Sequence, residues 1–338
     1  MIMAISDKKV GLMLWPAPNL NAGFERGIWA EKNGYDDLWL PDAEGLQDPI
    51  TLAAALGVAT EKIRMCTGIV PVFNRQPPLL ATAVVAAEQR APRRFVLGLG
   101  PSTNNMVDRW YGLNYSKPLT RTRETIELLR CLFSGEKSNY QGETLRSKGF
   151  KLMETPSMEV PIFIGAIGPK MLALAGEIAD GVILNDFTPP DRLDWALEQI
   201  DLGAKRAGRR AEDLEIVKRR GIFISDDIDA GLEFFRTYIG FYGAAPAYQQ
   251  IMIRLGYEKT VQAIKQGYAE RNRAAVKRAV SDEMVARLFA FGSRTDCQAI
   301  VREDLAAGID TSVVSPQGTS AEEYAVGAEA FSRGAFPV

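Results

Sequence analysis

The stretch Pro161-Ile162-Phe163-Ile164-Gly165-Ala166-Ile167-Gly168-Pro169-Lys170 leads through an apolar, helix-spaced segment to Ala179-Asp180-Gly181-Val182-Ile183-Leu184-Asn185. A short apolar run stops at Gly165, and Pro169 then stands at a first helical position, where the missing N–H costs nothing. Just past the helix a second apolar, β-branched run begins. The unit is strand, helix, strand, and a helical crossover of this kind makes its two strands parallel.

The alternation continues on both sides. Strands are predicted at 10–15, 37–40, 63–70, 94–100, 161–165, 181–185, 214–224 and 312–315. Apolar residues recur at i, i+3, i+4 and i+7 over 24–33, 49–60, 78–89, 120–133, 169–179 and 192–206, which predicts the intervening helices. Eight such units close most economically into a (β/α)8 TIM barrel, and residues 1–338 are expected to form one domain. Two connections are too long for bare loops. Before strand five, residues 139–155 carry Gly142 and Gly149 and are read as a small hairpin-like excursion. Between strands seven and eight, residues 227–292 are read as a helical insertion, with Val261, Ile264, Tyr268, Val276 and Val280 as one apolar stripe. Its cations, Arg254, Lys259, Lys265, Arg271, Arg273, Lys277 and Arg278, are read as a solvated face in preference to an anion site.

Composition removes several function classes. The chain has no histidine, so Ser-His-Asp and Cys-His catalysis, His-ligated metals and a His general acid are all excluded. Cys66, Cys131 and Cys297 are odd in number and far apart, which predicts buried thiols and no metal site or disulfide framework. Forty basic against 42 acidic side chains offer no field for nucleic acid. No apolar run approaches the roughly 18 residues that span a bilayer, and the N-terminus lacks a secretory pattern. A cytoplasmic protein acting on a small-molecule substrate, without nucleic acid or membrane, is expected.

In a parallel barrel the site gathers at the carboxyl ends of the strands. The residues there are small or aromatic more often than acidic or nucleophilic, which suits a large planar ligand. The turn Ala166, Ile167, Gly168 with Lys170 can cradle a phosphate on free amides and a helix dipole, or can be a plain turn. Gly68, between Thr67 and Ile69, marks a bulge, a close approach by ligand, or simple interior packing. Asp42 is a loop cap or a catalytic carboxylate, and Trp15 a stacking platform or core. Gly98-Leu99-Gly100 is followed by Pro101-Ser102-Thr103 with no helix, so a dinucleotide fingerprint is rejected.

Taken in order, the blocks Val10–Trp15, Gly34–Asp42, Thr67-Gly68-Ile69, Asn74-Arg75-Gln76-Pro77-Pro78, Arg94–Gly100 and Ile167-Gly168-Pro169-Lys170-Met171 to Asn185 resemble the luciferase-like monooxygenase superfamily, and within it the coenzyme F420 branch. The resemblance implies a deazaflavin ring at the barrel mouth, backed by a bulge after strand three with a non-prolyl cis peptide at Gly68–Ile69. It implies that Asp42 lies near the polar edge of the ring and that Thr67 and Gly100 line it. Ala166, Ile167, Gly168 and Lys170 then hold the phosphate, Asn185 touches the side chain, and Trp15 joins the cofactor set. Arg75 matches a recurrent position that either meets the cofactor tail or pins its loop. Where several relatives carry a His after the strand-two Asp, this chain has Ala43. The proton donor must come from elsewhere, with Glu44, Asp108, Tyr111 and water as candidates beside Asp42. The implied activity is hydride transfer between deazaflavin C5 and a small organic substrate. The alternatives are an FMNH2-dependent monooxygenase, with FMN as the ligand, and a non-catalytic flavin-binding barrel. Pairing into a homodimer or larger homo-oligomer through barrel helices two and three is also implied.

Overall fold

A computed structural model describes residues 8–15, 20–42, 45, 47–318 and 320–338. Its barrel strands are β1 (Lys9–Met13), β2 (Asp37–Leu40), β3 (Arg64–Thr67), β4 (Phe95–Gly100), β5 (Ile162–Gly165), β6 (Gly181–Leu184), β7 (Glu215–Ile224) and β8 (Thr311–Pro316). All neighbours are parallel, and β7 pairs with both β6 and β8 while β8 pairs with β1, so the sheet closes. Helices α1 (Leu20–Lys32), α2 (Pro49–Ala59), α3 (Pro77–Arg90), α4 (Pro118–Phe133), α5 (Pro169–Ile178) and α6 (Leu193–Arg206) follow the first six strands. The eightfold alternation predicted from hydrophobic periodicity is the observed architecture.

Because side chains alternate across a strand, every barrel strand sends side chains into the interior, where alternate strands fill successive levels of one packed layer between the two ends. Met13, Trp39, Cys66, Val96, Phe163, Ile183, Val217 and Val313 form that layer, one from each strand in order. Below it, Arg64 closes the amino-terminal end, with Nε 2.6 Å from Asp37 and Nη2 2.6 Å from Glu215. Burial raises the Glu215 carboxyl, but the Arg64 guanidinium and neighbouring donors outweigh it and hold the group down at about 2. The barrel is therefore a plugged cylinder that opens only upward.

Residues 139–155 contain the expected excursion, an antiparallel hairpin of Asn139–Gln141 with Arg146–Lys148. The interval after β7 holds α7 (Ile228–Tyr242), α8 (Pro246–Arg254), α9 (Glu258–Ala269), α10 (Arg273–Arg278) and α11 (Asp282–Leu288). These helices share a second apolar core, in which Phe235 stacks on Phe289 at 4.2 Å. Val261, Ile264, Val276 and Val280 are buried in it as the stripe predicts, whereas Tyr268 is exposed. The reading of this interval as wholly helical is corrected by Ala290–Gly292, a three-residue strand that pairs with the upper half of β7. Helices α12 (Arg294–Ala306) and α13 (Ala321–Glu329) complete the outer ring. Cys66 and Cys297 are buried, but Cys131 on α4 is partly exposed, which corrects the expectation of three buried thiols. Among the described residues no helix is long and apolar enough to cross a membrane, and no cluster of three metal-ligating side chains occurs.

Candidate active site

A cavity of about 570 Å³ opens at the carboxyl ends of the strands, resting on Met13, Trp39, Ile183 and Val313 of the interior layer. Of the residues expected at the site, Trp15, Asp42, Gly68, Ile69, Gly100, Ala166, Ile167, Gly168, Lys170 and Asn185 all line it. The back wall follows from a break in β3. After Thr67 the chain leaves the ladder, and it rejoins β4 at Val70 and Pro71. The Gly68–Ile69 peptide between them is cis. Ile69 is seated between two glycines of the neighbouring strands: a Cβ on Gly100 would stand 3.0 Å from its side chain, and one on Gly165 3.1 Å.

Thr67 lies outside the cavity. Its Oγ1 donates to Gly98 O and accepts from Gly98 N, both at 2.9 Å, so it ties β3 to β4 beneath the bulge. The same contact explains Gly98, where a Cβ would fall 1.9 Å from Thr67 O. The glycine serves strand approach and not a nucleotide.

Just past Gly165, α5 begins at Pro169 with Gly168 as an N-cap that has no side-chain acceptor. The amide of Ala166 is already used, donating to Ile183 O at 3.1 Å, which corrects the expectation of three free amides. The N–H groups of Ile167 and Gly168 meet no acceptor among the described residues. Nothing lies within 4 Å of a Cβ built on Gly168, and Lys170 stands exposed at the rim. An uncapped helix start with open space before it favours an anion.

Asp42 is nearly buried, and burial raises its pKa while Arg75 Nη2, 3.4 Å away, opposes the rise. The same Nη2 lies 2.5 Å from Asp48, the N-cap of α2, so Arg75 pins the strand-two loop to that helix. Asp108 and Tyr111 stand outside the cavity. The segment Asn105–Trp110 is a π-helical turn that buries Val107 and turns residues 108 to 111 to solvent. Asp108 accepts from Tyr115 N at 2.8 Å, and Met106 and Tyr115 face the cavity in their place. Burial pushes the Tyr115 phenol up to about 12. Glu44 falls outside the described residues.

The structure adds polar residues that sequence reasoning missed. Arg219, on β7, and Tyr242 and Tyr248, from the insertion, line the cavity. Arg219 pairs with fully buried Asp186 and donates from Nη2 to Tyr238 Oη at 2.6 Å. Its Nε meets no partner among the described residues. Asn185 Oδ1 accepts from Phe187 N at 3.0 Å, which turns the amide so that Nδ2 donates to Tyr248 Oη at 3.2 Å. Burial pushes the Tyr248 phenol well above its ordinary value, so it stays protonated at neutral pH. With its oxygen occupied as an acceptor, its own hydrogen is left for a partner in the cavity.

The sequence matches the luciferase-like monooxygenase family over residues 12–311. It is 30% identical over 297 residues to the 5,10-methylenetetrahydromethanopterin reductase of Methanolobus tindarius, covering 87% of this chain and 90% of that one. It is 28% identical over 225 residues to the F420-dependent glucose-6-phosphate dehydrogenase of Microbacterium testaceum, covering 63% and 67%. In fold it is similar to the coenzyme F420-dependent tetrahydromethanopterin reductase of Methanopyrus kandleri, with a TM-score of 0.79 at 22% identity over 96% and 97% of the two chains.

Proposed function

We propose, because the chain belongs to the luciferase-like monooxygenase family, that it is an oxidoreductase whose mouth cavity takes coenzyme F420 and a small organic substrate. What supports this is the coincidence, within one cavity of about 570 Å³, of an apolar back wall at Ile69 and an open anion cradle at Ile167 and Gly168. A planar ring carrying a phosphate fits that pair of features, and similar proteins are named for F420. When bound, the deazaflavin supplies the hydride carrier at C5.

The residues of the chain do the rest. The Ile167 and Gly168 amides, the α5 dipole and Lys170 hold the phosphate. Ile69 and Trp15 fix the plane of the ring, and Trp15 is itself held by Nε1 donating to Ser315 Oγ at 2.9 Å. Asp42 faces the polar edge of the ring. Tyr248 replaces the absent histidine, giving its Oη proton to the substrate atom that gains negative charge. The Arg219 guanidinium favours the tyrosinate left behind. Exposed Val58 on α2 and Leu79 on α3 support pairing of two copies through those helices.

Tyr248→Phe tests this assignment. With F420 and a panel of alcohols, aldehydes, imines and enones, turnover is expected to fall about 10²-fold, as for loss of a general acid. F420 affinity should stay within about twofold, since no cradle residue is touched. Unchanged turnover would remove Tyr248 from the chemistry, and a panel that gives no F420-linked turnover would remove the activity.

A further inference from the structure

A second, larger cavity of about 1070 Å³ runs beside the mouth, between the π-helical turn Asn105–Trp110 and helices α7, α9 and α10. Thr103, Met106 and Tyr242 line both cavities, so the two adjoin at these residues. Five cations line the groove and none of its lining residues is acidic. Two of them, Arg236 and Lys277, pair with Glu233, and Arg236 also pairs with Asp282. The other three, Arg109, Lys265 and Arg273, form no ion pair among the described residues. Arg273 also occupies the first position of α10, where the helix dipole disfavours a cation. Trp110, Phe241 and Tyr268 set large exposed aromatic surface among these charges. In a chain of net charge −2, a basic, aromatic trough lined by no carboxylate and adjoining the mouth cavity is a local exception.

We propose that this groove binds the anionic part of the second reactant, a planar aromatic compound carrying several carboxylate or phosphate groups, and delivers its reacting end past Tyr242. This rests on the mouth cavity being the F420 site. The cradle at α5 and Arg254 on α8 line the mouth and not the groove, so the anion sites of the cofactor and of the groove share no cation. The cofactor tail is nevertheless an oligoanion, and the experiment must separate the two sources.

Pyranine, a pyrene bearing three sulfonates, serves as the probe in fluorescence titrations of the full chain with and without saturating F420. The expected results are saturable pyranine binding that weakens with added salt, simultaneous occupancy with F420, and at least a tenfold loss in Lys265→Glu/Arg273→Glu with F420 affinity within twofold. Both substituted residues are exposed, and Glu at the start of α10 suits the dipole, so the variant keeps its fold. Absence of pyranine binding, or binding indifferent to the double variant, overturns the groove assignment. Competition between pyranine and F420, or loss of F420 affinity in the variant, overturns it by giving the groove to the cofactor tail. If F420 fails to bind wild-type chain while pyranine binds as expected, the site reading in the mouth fails and the tie of the groove to a second reactant fails with it.

Discussion

Asp304→Ala is expected to lower the free energy of unfolding by about 3–5 kcal/mol, because it strands two buried cations. Asp304 on α12 is 1% exposed, and its Oδ1 accepts from Lys218 Nζ and Arg220 Nη2, both at 2.7 Å. Arg220 Nε adds a bond of 2.9 Å to Oδ2. Lys218 and Arg220 are as fully buried as their partner, so water cannot replace the lost carboxylate. The loss extends to the site, since Arg220 Nη1 also holds Leu288 O at 2.8 Å and so ties the last helix of the insertion to the barrel. Denaturant titration followed by circular dichroism measures the effect. A Lys218→Met/Arg220→Met/Asp304→Leu variant should recover most of the stability, because it removes the charges together. A single-variant loss under about 1 kcal/mol would mean that water reaches the cluster.

Gly168→Asp is expected to weaken F420 binding about 30- to 1000-fold. Two like charges about 4 Å apart repel by about 4 kcal/mol at an effective dielectric constant near 20, and each 1.4 kcal/mol is tenfold in affinity. The substitution itself is mild. Gly168 has an ordinary extended backbone, open space where its Cβ would be, and a position where Asp is a favoured N-cap. The new carboxylate therefore takes the amides that the ligand phosphate would use. Binding of the deazaflavin nucleoside without phosphate, measured in parallel, should stay within about twofold, which separates the cradle from the ring site. An equal loss for both ligands would place the phosphate elsewhere.

The barrel was legible because its signals are periodic. Short apolar runs at the strands and 3.6-residue spacing within helices recur over most of the chain, and Pro at the start of α2, α3, α4 and α5 marks where those helices begin. Short elements were not legible. Ala290–Gly292 has too few residues to alternate, and the π-helical turn after β4 has no propensity signature. At the site, glycines and the Gly-Pro turn pointed to the cavity because backbone geometry restricts residue choice there. Asp108 and Tyr111 were nominated by chain proximity alone, and one unusual turn rotates them to solvent. Arg219 was legible in principle. Val217 faces the barrel interior, so Arg219, two residues on, faces the mouth, while Lys218 and Arg220 point outward to Asp304. Tyr248 was not, because its arrival depends on how the insertion packs, which no local pattern specifies.

The proposed function stands or falls with recognition of a phosphorylated deazaflavin at the barrel mouth. Equilibrium titration of the purified chain with oxidised F420, followed by the fluorescence of the cofactor and competed with FMN, tests it most directly. Saturable uptake at micromolar or lower concentration, with FMN at least about tenfold weaker, is the predicted result. Equal or tighter FMN binding, or no uptake of F420, would contradict it.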